Sequence, residues 1–90
     1  MSEIKKLLTK HQQLNQLDMA KVTSHVQREK DDWVLNTIIL EGYDVPFQYT
    51  RRKIYKSLAG GRVNLTFYPV TKSIAGADFE IMKVVRIRMS

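Results

Sequence analysis

Lysine and arginine residues dominate one short stretch of the chain and recur near its end. The stretch from 50 to 62 reads TRRKIYKSLAGGR, and an arginine pair two residues apart lies close to the end of the chain. Guanidinium and ammonium groups bind phosphate through charge-assisted hydrogen bonds, so these residues favour a phosphate-binding surface. The residues that we assign to it are Arg51, Arg52, Lys53, Lys56, Arg62, Arg86 and Arg88, with Tyr68 as a ring on which a base stacks.

The basic stretch also has structural interpretations. Basic residues along the edge of a sheet prevent pairing with other chains, and the alternation of Val45, Phe47 and Tyr49 leads into the stretch as a strand. As a helix it would be capped by Thr50 and ended by Gly60. We prefer the strand for its first half.

Catalytic and metal-binding patterns are not found in the sequence. The chain has no cysteine, which excludes disulfides, thiolate zinc sites and thiol nucleophiles. His11 and His25 are too far apart for a metal site, and no acidic residue is suitably placed beside them. Gly60 and Gly61 lack the spacing of a phosphate-binding glycine loop. The sequence therefore predicts a protein without enzymatic activity, cofactor or metal.

One pair of motifs resembles a known family. The segment from Arg52 to Lys56 and the segment from Ser73 to Gly76 are similar to the RxxxR and D/N-x-S-x-x-G motifs with which PilZ domains bind cyclic di-GMP. Lys56 stands in place of the second arginine, and Thr71 in place of the Asp or Asn. The resemblance covers residues 52 to 76 and implies cyclic-dinucleotide binding.

Composition indicates one folded domain over residues 1–90. Hydrophobic residues make up 43% of the chain and charged residues 27%, which is typical of a globular protein. The formal net charge of +6 favours partners that carry phosphate. The sequence contains neither a signal peptide nor a membrane span, and we expect a cytoplasmic protein.

Residues 1–30 have the spacing of helices. The segment contains no Gly or Pro, and a stripe of residues recurs every three or four positions in most of it: Ile4, Leu7, Leu8, His11, Leu14, Val22 and Val26. The pattern predicts either one bent helix or two helices, Glu3 to Asn15 and Met19 to Lys30, with Asp18 capping the second. The apolar stripe is expected to dock on the protein's own sheet, or else to bind a protein partner or a second copy.

Residues 31–90 have the period of strands. Four are predicted: Trp33 to Glu41, Asp44 to about Ile54, Arg62 to Val70, and Phe79 to Met89. In the third strand Val63, Leu65 and Phe67 are expected to face inward, and in the fourth Phe79, Ile81, Val85, Ile87 and Met89. A hairpin symmetrical about the last loop would set Arg62 opposite Arg86.

These patterns predict an α+β fold. An N-terminal helical segment (residues 1–30) packs on a four-stranded antiparallel meander (residues 31–90), which can curl into a small barrel. The function that the sequence favours is a small basic binding module that contacts nucleic-acid phosphates with a sheet face and edge. A protein-interaction or regulatory subunit that uses the N-terminal helix is the alternative, and cyclic-dinucleotide binding is the third hypothesis.

Overall fold

The computed structural model describes residues 14–90, and all of its strands belong to one sheet. The five strands are β1 (Asn15–Lys30), β2 (Trp33–Leu40), β3 (Phe47–Arg51), β4 (Arg62–Ile74) and β5 (Ala77–Met89). No helix occurs among the described residues, and therefore none that could cross a membrane.

The sheet closes into a barrel with the strand order β1-β2-β3-β5-β4. β1 has two neighbours, because its first half pairs with β4 and its second half with β2. Pairing is antiparallel throughout except between β3 and β5, which run parallel. This parallel contact joins strands that are not consecutive in the chain, and it completes the ring.

Two bulges bend β1 so that it can pass from one neighbour to the other. One lies around Met19 and the other at Thr23. At the first, Met19 has a φ of 57°, its N–H donates to Asn64 Oδ1 at 2.8 Å, and its carbonyl accepts from Arg62 Nη1 at 2.9 Å. Because a bulge increases the local twist of a strand, these two sites account for the curvature that closes the barrel.

The barrel interior is filled by side chains from all five strands. The buried cluster consists of Val22, Ile38, Leu40, Phe47, Tyr49, Val63, Leu65, Phe67 and Val84. At its centre Phe47 and Phe67 meet edge to face, with their ring centroids 5.0 Å apart. The inward positions predicted for Val63, Leu65 and Phe67 are confirmed.

The predicted α+β class is wrong, because the described residues form an all-β barrel. Residues 15–30 were expected to include the second helix, yet they form β1. The predicted meander of four strands is wrong as well, since β1 adds a fifth strand and β3 pairs parallel with β5. The sheet does curl into a barrel. Nearly all of the first predicted helix lies outside the described residues.

The bulges give the core-directed residues of β1 a spacing close to that of a helix. The side chains of β1 directed at the core include Leu17, Ala20 and Val22, and the ring of His25 follows on the same side. Each bulge inserts one residue, so that the ordinary step of two becomes a step of three. A strand with steps of three, two and three resembles helical periodicity in the sequence. Of the two residues of the predicted helical stripe that lie on β1, Val22 is buried, whereas Val26 is 47% exposed.

A bulge in β5 overturns part of the predicted facing pattern. Val84 is opposite Phe67 and Arg86 is opposite Thr66, so Val85 is the inserted residue. Val84 is consequently buried, whereas Val85 is 52% exposed, contrary to the prediction. Phe79 and Met89, which were also expected to face inward, are exposed.

The predicted pairing of Arg62 with Arg86 is wrong. Near the turn the register matches Ile74 with Ala77, and the bulge shifts it by one more residue, which brings Arg86 opposite Thr66. Arg62 is paired with Lys21 in β1 instead. The segment predicted as the loop between these strands is mostly strand, with only Ala75 and Gly76 in the turn.

Candidate functional site

An opening in the barrel wall lies between β3 and β5. The two strands pair only at Phe47 with Met82 and at Gln48 with Lys83. The remaining residues of β3, from Tyr49 to Arg51, have no ladder partner in β5 among the described residues. A cavity of about 260 Å³ lies at this point.

Apolar side chains form part of this first cavity, and basic side chains surround them. Its apolar lining includes Leu35, Val70, Ile81 and Val85, and its basic lining consists of Arg51, Lys72, Lys83 and Arg86. None of the described residues that line it is an Asp or a Glu. A ligand in this cavity would therefore meet a positive potential together with apolar surface.

A second cavity lies next to the first and shares part of its lining. Its volume is about 160 Å³, and it shares Tyr49, Arg51 and Ile87 with the first cavity. Lys56 and Arg88 also line it, again without any carboxylate among the described lining residues. The two cavities together are named the basic cleft, whose cations are Arg51, Lys56, Lys72, Lys83, Arg86 and Arg88.

The bulge of β5 directs two of these arginines outward. Because Val84 and Ile87 both contact the core, Arg86 and Arg88 lie on the outer side of the strand. Arg86 and Arg88 also border a polar cavity of about 250 Å³ on their other side, lined by Asp18 and Asn64 among others. The arginines thus form a ridge between the basic cleft and this polar cavity.

The segment between β3 and β4 forms one wall of the second cavity, and side chains of β1 hold it in place. Gln27 Nε2 donates to the carbonyl of Tyr55 at 2.7 Å, and Gln27 Oε1 accepts from the N–H of Tyr55 at 3.1 Å. Closer to β4, the N–H of Gly60 donates to the carbonyl of Val22 at 2.8 Å. These contacts fix the backbone on both sides of Lys56.

His25 links the same segment to the barrel interior. Its Nδ1 accepts a hydrogen bond from the N–H of Leu58 at 2.9 Å, so the proton of the neutral ring lies on Nε2. Nε2 donates to Asn36 Oδ1 at 2.8 Å, and Asn36 Nδ2 donates to the carbonyl of Val34 at 3.2 Å. Asn36 is only 2% exposed, and these bonds compensate for its loss of water.

Tyr49 lies where the two cavities meet. It is 8% exposed, and Arg51 Cζ is 5.1 Å from its ring centroid. Burial raises the pKa of the Tyr49 phenol above 10.0, and the charge of Arg51 offsets part of this rise. The side chain therefore remains neutral at physiological pH and presents a ring under a guanidinium group.

Four of the eight residues predicted as the site come together in the basic cleft: Arg51, Lys56, Arg86 and Arg88. Arg62 is not among them, because it binds the carbonyl of Met19. Tyr68 is half-buried on β4 opposite Lys83 and does not line the cleft.

The remaining two predicted residues, Arg52 and Lys53, lie at a different place. They border a cavity of about 280 Å³ beside the turn between β1 and β2, which is also lined by Glu29, Asp31 and Asp32. Arg52 Cζ lies 4.8 Å from the centroid of the Trp33 ring. The three carboxylates reduce the positive potential here, in contrast to the cleft.

Sequence reasoning missed Lys72, Lys83 and Tyr49 as residues of the cleft. Lys72 was placed in a loop, although Val70, Lys72 and Ile74 continue the alternation of β4 up to the turn at Ala75. For Lys83 the adjacent valines at 84 and 85 were the available signal, because two apolar residues in succession are compatible with a bulge. Nothing local in the sequence places Tyr49 beside β5.

No family model, curated protein or solved structure matches this chain. Among the described residues, no cluster of three or more His, Cys, Asp or Glu side chains is arranged to hold a metal ion.

Proposed function

We propose that the basic cleft binds the phosphate groups of a nucleic acid without strong sequence preference. One observation carries this proposal. Six lysine and arginine side chains, contributed by β3, β4, β5 and the segment that follows β3, surround two cavities that share lining residues, and none of the described lining residues is acidic.

The charge distribution is the first argument for phosphate. Like charges held close together repel each other, and neighbouring carboxylates would normally relieve the repulsion. Carboxylates stand beside Arg52 and Lys53, and Asp18 borders the polar cavity on the other side of Arg86 and Arg88, but none of the described residues that line the cleft itself is acidic. An anion bound between the cations supplies the missing negative charge, and arginine can bind two phosphate oxygens at once.

The shape of the cleft is the second argument. Grooves that bind nucleic acids combine cations for the backbone with apolar or aromatic surface for the bases. Leu35 and Val85 supply such surface within the first cavity, and Tyr55, which is 56% exposed, borders the second. Contacts to phosphate carry no sequence information, which is why little sequence preference is expected.

The architecture offers a third and weaker argument. Five-stranded Greek-key barrels of the OB type bind oligonucleotides or oligosaccharides on the outer face of their second and third strands. The basic cleft lies beside the third strand here and includes Leu35 of the second. Architecture alone does not determine function, so this likeness adds to the charge argument without replacing it.

A matched pair of lysine variants tests the proposal. We expect the wild-type protein to bind labelled single- or double-stranded oligonucleotides at low salt, with an affinity that falls as salt is added. Lys83→Ala removes a cation of the cleft and should lower the slope of log affinity against log salt by about 0.7 to 0.9. Lys53→Ala removes the same charge beside carboxylates and should change the slope much less.

Two results would contradict the proposal. One is the absence of detectable oligonucleotide binding by the wild-type protein at low salt. The other is an equal loss for Lys83→Ala and Lys53→Ala, because net charge rather than the cleft would then explain the affinity. Fluorescence anisotropy measures the binding, and circular dichroism of each variant checks that it is folded.

The other hypotheses receive less support from the arrangement of the residues. The protein-interaction hypothesis relied on a helical stripe that included Val22, which is a fully buried residue of β1. The cyclic-dinucleotide hypothesis needs Arg52 and Ser73 close together, but Arg52 stacks on Trp33, and Ser73 bonds Asp78 near the turn between β4 and β5. Cytoplasmic localisation and the lack of enzymatic activity stay predictions from the sequence.

A further inference from the structure

Strands β4 and β5 extend beyond the barrel as a two-stranded arm, residues 70–81. The register runs from Val70 opposite Ile81 to Ile74 opposite Ala77. On β4 these residues follow Phe67, the last residue that pairs with β1, and on β5 they precede Met82, the first residue that pairs with β3. Ala75 and Gly76 form the turn with φ values of 51° and 83°, as a type I′ hairpin requires. All residues from 71 to 80 are exposed.

The two faces of the arm differ in chemistry. Residues opposite each other in a ladder lie on the same side of it. We name the face of the arm that adjoins the basic cleft the inner face. It consists of three such pairs: Val70 with Ile81, Lys72 with Phe79, and Ile74 with Ala77. The outer face consists of Thr71 with Glu80 and Ser73 with Asp78. One side of the arm is thus apolar with a single lysine, and the other is polar and acidic.

The inner face is continuous with the basic cleft. Val70, Lys72 and Ile81 line the first cavity, and Phe79 and Ile74 prolong the same face toward the turn. Phe79 is 50% exposed and Ile74 is 56% exposed. A ligand that extends out of the cleft along the arm would cover these two side chains.

Charge is segregated between the two faces. Lys72 is on the inner face, whereas Asp78 and Glu80 are on the outer face. Ser73 Oγ donates to Asp78 Oδ1 at 2.9 Å, which holds that carboxylate on the outer side. A phosphate that approaches the inner face therefore meets a cation and apolar surface, and not the carboxylates.

We propose that the inner face of the arm extends the ligand site and binds the bases of a single-stranded nucleic acid, with Phe79 as the stacking ring and Lys72 as a phosphate contact. This inference rests on the proposed function and specifies the class of nucleic acid. In a duplex the faces of the bases are covered by their neighbours, but in a single strand they are free to stack on an aromatic ring. Phosphate contacts alone would not need the exposed apolar face.

The test compares oligonucleotides of two lengths on the full chain. Homopyrimidine single strands of about 5 and about 15 nucleotides span the range of site sizes of one small barrel. Phe79→Ala should weaken binding of the longer strand about 5- to 150-fold and leave the shorter strand nearly unaffected. Phe79→Tyr keeps a ring and should bind like the wild type. Thr71→Ala, on the outer face of the same arm, is the control and should have no effect.

The outcomes separate this inference from the proposed function. If the wild type binds the longer strand and Phe79→Ala binds it equally well, the arm has no such role, although the cleft proposal stands. If the wild type binds no oligonucleotide at low salt, the cleft proposal itself fails. Binding of a duplex that Phe79→Ala weakens to the same extent would also overturn the inference. So would displacement of the bound strand by polyglutamate, if Phe79→Ala also weakened the binding of polyglutamate.

Discussion

The side chain of Gln27 and the backbone of Tyr55 are joined by two hydrogen bonds, one in each direction, at 2.7 and 3.1 Å. A primary amide that bonds both the carbonyl and the N–H of one residue imitates a neighbouring strand. The segment after β3 is held to β1 in this way although it has no strand of its own there. Lys56 is the next residue, so the contact also positions a cation of the basic cleft.

Replacement of Gln27 by alanine should loosen this segment. The two lost hydrogen bonds are solvent-accessible, and we expect a decrease of about 1 to 2 kcal/mol in the free energy of unfolding. Urea denaturation measures it, and hydrogen exchange should show a faster amide at Tyr55. Gln16→Ala is the matched control, because exposed Gln16 also makes two hydrogen bonds, to the side chains of Asp18 and Thr66, away from the segment after β3. Unchanged exchange at Tyr55 would contradict the role that we assign to Gln27.

Replacement of His25 should cost more than replacement of Gln27. His25→Ala leaves the Oδ1 of buried Asn36 and the N–H of Leu58 without their partner. A buried polar group that loses its hydrogen bond costs about 1 to 3 kcal/mol, so a total near the upper end is expected. Urea denaturation of His25→Ala and Gln27→Ala under identical conditions gives the comparison. A smaller effect for His25→Ala would mean that Asn36 finds another partner.

The phenol of Tyr49 should make stability depend on pH in alkaline solution. Because its pKa is raised above 10.0 in the folded chain, the folded protein holds this proton at pH values at which the unfolded chain has released it. The contribution is fully present below pH 10.0 and is lost as pH rises through the folded pKa. The wild type should therefore lose more stability than Tyr49→Phe above pH 10. Denaturant titrations at a series of pH values measure the free energy of unfolding of both proteins. A difference between the two that does not change above pH 10 would contradict this expectation.

Removal of Arg51 should raise the pKa of Tyr49 further. The positive charge of Arg51 favours the phenolate, and it is the influence that opposes burial. Absorbance titration of the tyrosinate in Arg51→Ala, with the matching Tyr49→Phe background subtracted, measures the change. Arg62→Ala is a control at a position outside the cleft. An unchanged or lowered pKa in Arg51→Ala would be inconsistent with the contact over the Tyr49 ring.

The effect of a substitution at Met19 on stability should depend on how well the new residue tolerates positive φ. Its φ of 57° is unfavourable for residues with a β-carbon, and its side chain is 58% exposed. Glycine accepts this conformation, so Met19→Gly should stabilise the fold by about 0.5 to 1 kcal/mol. Met19→Val should destabilise it, because a β-branched residue tolerates positive φ poorly. Urea denaturation decides, and effects of the same sign would contradict the expectation.

Strands with an unbroken alternation could be predicted from the sequence alone. The bounds of β2 differ from the prediction by one residue, and Val63, Leu65 and Phe67 of β4 face the core as expected. In these strands, side-chain direction follows directly from a period of two. β1 and the later part of β5 were misread, because each bulge inserts one residue and reverses the direction of the side chains that follow.

The sequence by itself determined the identity of the basic residues, the lack of cysteine and the alternation of two strands, because each of these is a local property of the chain. The tertiary structure alone decided that Arg51 and Arg86 border one cavity while Arg52 lies beside carboxylates. That arrangement depends on the parallel contact between β3 and β5, whose paired residues, such as Phe47 and Met82, are 35 positions apart in the chain. No local pattern encodes such a contact, because its register is fixed by the bends of β1 and by the packing of the core.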